Sequence, residues 1–147
     1  MADVSTLKKD YQTVVDKHSP KNEVLKNSFK AFWVGGTICL IGQLITEGFI
    51  YIGFSEPDAG TISTITLILL STILTALNLY DKIGNYAGAG SIIPITGFAN
   101  SMVSAAMEYK KEGYIFGMGA KLFTVAGPVI VFGTISSVIV GILYYFL

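Results

Sequence analysis

The polar residues that interrupt long apolar runs are where this chain could do chemistry. Gly88, Gly90, Ser91, Pro94, Thr96, Gly97, Asn100 and Ser101 alternate helix-breaking backbone with hydroxyls and an amide. A backbone broken at membrane depth persists only where it is buried in protein or lines a cavity. These residues are therefore candidates for a solute path, with Asn100 and Ser101 offering neutral hydrogen bonds. Lys121 follows Gly117-Met118-Gly119-Ala120 and precedes a charge-free tail. It either snorkels to the cytoplasmic surface or gives an anionic solute a cationic point, beside the free N–H groups of a broken helix end. Thr64, Ser71, Thr75 and Asn78 are spaced by 7, 4 and 3 residues. At about 100° per residue they fall in a stripe about 60° wide, which serves either helix packing or a wet path. Glu47 follows Gln43 by one turn inside an apolar run. An acid there is by default a candidate functional group; the alternative is that it reaches the surface near Glu56 and Asp58.

Other chemistries lack their parts. The lone His18 sits in a polar leader, and the lone Cys39 lies among Ile38, Leu40 and Ile41, where a free thiol behaves as a small hydrophobe. One His and one Cys give neither a disulfide framework nor a plausible metal set. The sequence has no G-x-S-x-G, H-E-x-x-H or P-loop, and the glycines near 88–97 lack a phosphate loop's lysine. No catalytic residue, metal or cofactor is expected. An intramembrane enzyme would need an essential acid, for which Glu47 is the in-span candidate. With no Arg and no basic excess, nucleic acid is not an expected partner.

The elements that must position these groups follow from where charge is missing. The chain has 147 residues, 52% of them hydrophobic and 14% charged, with net charge zero and mean hydropathy +0.60. An average soluble domain carries about 25% charged residues. Ala31–Thr46, Ala59–Tyr80, Ile83–Met107 and Leu122–Leu147 carry no charge at all, and Gly48–Ser55 extends the first run beyond Glu47. About 20 apolar residues of helix span a bilayer core. The expectation is an all-α integral membrane protein with membrane lipid as its surroundings. Spans are expected at about 29–53, 61–80 and 122–146, with a Gly/Pro-broken segment at about 84–107. Residues 1–28 form a polar leader with a short amphipathic helix from about Ser5 to His18, carrying Val4, Leu7, Tyr11, Val14 and Val15 at helical spacing. Glu56-Pro57-Asp58 reads as a short acidic loop. The first span lacks a signal-peptide cleavage pattern.

Lysine placement sets the topology. The leader holds Lys8, Lys9, Lys17, Lys21 and Lys26, while residues 54–60 hold acids and no lysine. The N-terminus is expected to be cytoplasmic. If 84–107 dips in and returns, Lys110, Lys111 and Lys121 stay on the cytoplasmic side; if it crosses, they lie outside. Three spans plus a re-entrant segment is therefore the reading, with four full spans as the alternative. Interrupted segments are also the sequence pointer to a transport site, and so small a chain is expected to assemble as a homo- or hetero-oligomer.

Three stretches carry a family resemblance. Pro20–Gln43 reads PKNEVLKNSFKAFWVGGTICLIGQ, Gly88–Val103 reads GAGSIIPITGFANSMV, and Gly113–Gly133 contains a Lys-Leu-Phe-Thr core. Together, and across essentially the whole length, the chain resembles the AC-type members of the SpoVA family of endospore-forming bacteria. AE-type subunits share the Gly/Pro-rich middle, so the leader and first span separate AC from AE. The resemblance implies a subunit of a complex in the spore inner membrane, partnered by other SpoVA proteins, especially an AE-type subunit. It further implies movement of dipicolinic acid, as its calcium chelate, into the forespore during sporulation and out during germination. It also implies a mechanosensitive-type channel activity. The rival expectation is a scaffold subunit that does not line the conduit.

Overall fold

A computed structural model describes Lys8, residues 11–15 and residues 23–147. Lys8 and residues 11–15 are helical, with Tyr11 and Val14 exposed; the remainder of the expected leader helix lies outside the described residues. No strand occurs among the described residues. Three helical stretches are long and apolar enough to cross a membrane.

Helix α1, Val24–Ile52, contains 29 residues, about 43 Å at about 1.5 Å per residue. It stops at Gly53, whose φ of 107° is left-handed and costs glycine no Cβ clash. Helix α2, Glu56–Ala76, starts earlier than expected. Glu56, Pro57 and Asp58 form its first turn instead of a loop. Ser55 caps it, its hydroxyl accepting from the Asp58 N–H. Proline is preformed for a first turn, and acids there complement the helix dipole. At the other end Asn78 takes φ 55°, so the chain leaves the helix before reaching it.

The expected broken segment is two helices joined by a tight turn. Helix α3 spans Tyr80–Ala87, a 3-10 turn covers Gly88–Ser91, and helix α4 spans Pro94–Tyr109. Ile93 is extended, with ψ 134°, as the residue before a proline prefers, and Pro94 then opens α4. Gly88, with φ 54° and ψ −122°, holds a conformation that side chains exclude. The Asp81-Lys82 pair belongs to the first turn of α3. A π-helical segment, Tyr114–Gly119, leads into α5, Ala120–Phe146, which contains Pro128.

Direction follows from two hydrogen bonds. The Ser71 hydroxyl donates to the Thr96 carbonyl at 2.7 Å, and the Thr75 hydroxyl is shared between the Ser71 carbonyl of its own helix at 2.7 Å and Asn100 Oδ1 at 2.9 Å. Both bonds advance together along α2 and α4, so α4 runs parallel to the end of α2. The chain from Tyr80 to Tyr109 therefore returns to the side it left. It is a hairpin and not a fourth full crossing. Lys110, Lys111 and Lys121 consequently share that side with Lys82.

Small residues set the packing. The Ser63 hydroxyl donates to the Gly42 carbonyl at 3.0 Å, and a Cβ at Gly42 would stand 3.2 Å from Leu67 Cδ1. Close helix approach through such residues is how apolar helices associate in lipid. No residue of α5 is buried.

Candidate functional site

The hairpin builds a cleft of about 500 Å³ whose lining is evenly polar and apolar. Helix α4 contributes Gly97, Asn100 and Ser101; the turn contributes Ser91 and Ile92; α3 contributes Tyr80, Asp81, Gly84 and Asn85. Four sequence candidates thus converge: Ser91, Gly97, Asn100 and Ser101.

The turn is held from both sides. The buried Tyr80 hydroxyl donates to the Ser91 carbonyl at 2.9 Å, and the Ser91 hydroxyl to the Gly88 carbonyl at 2.9 Å. Gly90 lies against α1: a Cβ there would stand 2.6 Å from Ala31 Cα. Gly97 is as close-fitted, its Cβ position 2.9 Å from the Ser91 carbonyl oxygen. Tyr80→Phe leaves that carbonyl without its donor and is expected to cost about 2 kcal/mol. Thermal unfolding in detergent checks it.

The other candidates fall elsewhere. Pro94 faces an apolar recess with Thr64, Ile68 and Phe98. Gly88 borders a separate recess beside Asn27, Lys30 and Asn85. Thr96 is buried, and its hydroxyl has no partner among the described residues. Lys121 is remote from the turn, with Nζ 4.5 Å from the centre of the Tyr109 ring. Glu47 accepts from Gln43 Nε2 at 2.8 Å on the exposed face of α1. Of the α2 stripe, Ser71 and Thr75 are consumed in packing against α4, Thr64 bonds its own helix at Gly60, and Asn78 lies past the helix end.

Sequence reasoning missed Tyr80, Asp81 and Asn85. The signal was present: Tyr80, Ile83, Gly84 and Ala87 recur at helical spacing, with Asp81, Lys82, Asn85 and Tyr86 between them. Asp81 is the only charged residue among those lining the cleft.

The family described as SpoVAC/SpoVAEB sporulation membrane protein matches residues 27–143. Stage V sporulation protein AC of Bacillus subtilis (strain 168) is 46% identical over 143 residues, covering 97% of this chain and 95% of that one. No solved structure matches. With most of its length matched, the chain belongs to the SpoVAC/SpoVAEB family of sporulation membrane proteins.

Proposed function

We propose that this chain is a conducting subunit of a SpoVA channel in the spore inner membrane, with its N-terminus on the core side. Its solute is dipicolinic acid as the calcium chelate, moved inward during sporulation and outward during germination. The observation that carries the reading is the polar cleft in the wall of a re-entrant hairpin. Irregular backbone at membrane depth is tolerated where it lines a cavity, and solute sites of transport proteins are built at such breaks. Hydroxyls and amides around the cleft suit carboxylate and pyridine groups. The Asp81 carboxylate repels a free dianion and tolerates a chelate whose charges cancel. Membrane tension or an AE-type partner opens the path, and the exposed α5 supplies surface for assembly.

A scaffold role is favoured by one observation: Ser71 and Thr75 bond α4 instead of facing a path. The two readings separate in proteoliposomes loaded with calcium dipicolinate. The chain is reconstituted alone and with an AE-type partner, and efflux is read before and after osmotic downshock. Efflux from the chain alone puts the conduit within this subunit. Efflux only with the partner puts it at a shared interface. A partner that conducts equally well without this chain overturns the proposal and leaves the scaffold.

A further inference from the structure

We propose that the groove between α1, α2 and α3 is a binding site for an acidic glycerophospholipid, separate from the polar cleft. The groove holds about 550 Å³, and its exposed lining is almost wholly apolar. Ile38, Leu67, Leu70 and Leu74 form its walls, suited to an acyl chain. Lys82 is the one charged residue among those lining it, and no acid lines it. Lys82 stands where α2 has ended and α3 begins, the end of the groove at which a headgroup phosphate would sit. Tyr86 also lines the groove, and Lys30 Nζ sits 4.8 Å from its ring centre, in the neighbouring recess that Tyr86 also borders. Trp33 lines the groove as well.

Helix α3 separates its charges. Asp81 faces the polar cleft while its neighbour Lys82 faces the groove. A net-negative headgroup at the groove therefore meets Lys82 with no carboxylate among the lining residues. A zwitterionic headgroup brings its own ammonium to the same rim and gains less. The apolar walls alone suit a partner's helix equally well; Lys82, the one charge lining the groove, is what selects an acidic lipid.

Trp33 is the sole tryptophan of the chain and reports on this groove directly. The full chain is reconstituted in phosphatidylcholine vesicles containing either brominated phosphatidylglycerol or brominated phosphatidylcholine, and quenching of Trp33 fluorescence is read. The brominated acidic lipid is expected to show about fivefold higher relative affinity, the factor that one lysine contributes near anionic lipid. Lys82→Gln is expected to remove most of that preference, and Lys82→Arg to retain it. Equal quenching by the two lipids overturns the proposal, as does a preference unchanged in Lys82→Gln. Absence of quenching by either lipid overturns it too, because a protein helix then covers the groove.

Discussion

Gly90→Ala is expected to unseat the hairpin turn from α1 at a cost of about 3 kcal/mol, the upper part of the range for overpacking a close contact. The added methyl would lie 2.6 Å from Ala31 Cα and 2.9 Å from the Ala31 carbonyl carbon. Both are backbone atoms, so no rotamer change relieves the clash. Gly35 faces the same contact, its own Cβ position 3.4 Å from the Gly90 carbonyl oxygen. Gly36→Ala is the matched control, since nothing lies within 4 Å of the Cβ it would add. It should be neutral or should gain up to about 1 kcal/mol from helix propensity. Thermal unfolding of the three proteins in one detergent compares them, and a wild-type melt for Gly90→Ala would contradict the packing described here. A bulky residue at Gly90 consequently reports on hairpin seating and not on the width of a path.

Ser101→Trp is expected to cut dipicolinate flux by about tenfold or more, a barrier increase of about 1.4 kcal/mol, with assembly intact. Ser101 is half-buried, and its hydroxyl donates to the Phe98 carbonyl of its own helix at 2.8 Å. Removing that bond leaves α4 and its contacts with α2 in place. The indole then occupies the cleft beside Ser91 and Asn100. Efflux per reconstituted complex checks the effect, with size-exclusion profiles to verify assembly. Undiminished flux would remove the cleft from the path.

Much of the architecture was legible because membrane spans are written in composition. Charge-free runs marked three crossing helices, and Lys110, Lys111 and Lys121 argued for a segment that returns. The break near Pro94 was legible because proline constrains both itself and Ile93. Local sign errors arose where one residue type serves two ends of a helix. Glu56-Pro57-Asp58 looks like a breaker, yet the same residues are favourable in a first turn capped by Ser55. Periodicity carried the α2 stripe on to Asn78, because a period cannot register the single left-handed residue that ends the helix. The stripe marked the correct face at Ser71 and Thr75, but spacing alone does not say whether hydroxyls meet water or another helix. Within the hairpin, Ser91, Gly97, Asn100 and Ser101 converge on one cleft, while Pro94 and Thr96 point to other sides of α4. Tyr80 and Asp81 escaped notice because an aromatic and a charge at a span end look like an interfacial boundary. Only the fold of α3 back onto the turn brings them to the cleft. Gly117 and Gly119 suggest a broken helix end beside Lys121, whereas the helix runs on from Tyr114 into α5 and Lys121 sits against the Tyr109 ring.

The central claim is that the hairpin cleft forms part of the conduit. Its most direct test keeps one protein in one set of vesicles. A Cys39→Ser, Ser101→Cys chain is reconstituted with an AE-type partner, and dipicolinate efflux is read before and after a membrane-impermeant, negatively charged alkanethiosulfonate, which leaves a mixed disulfide on the cysteine and releases sulfinate. Efflux that falls on modification and recovers on reduction is the predicted result. Undiminished efflux with the cysteine fully modified would contradict the claim.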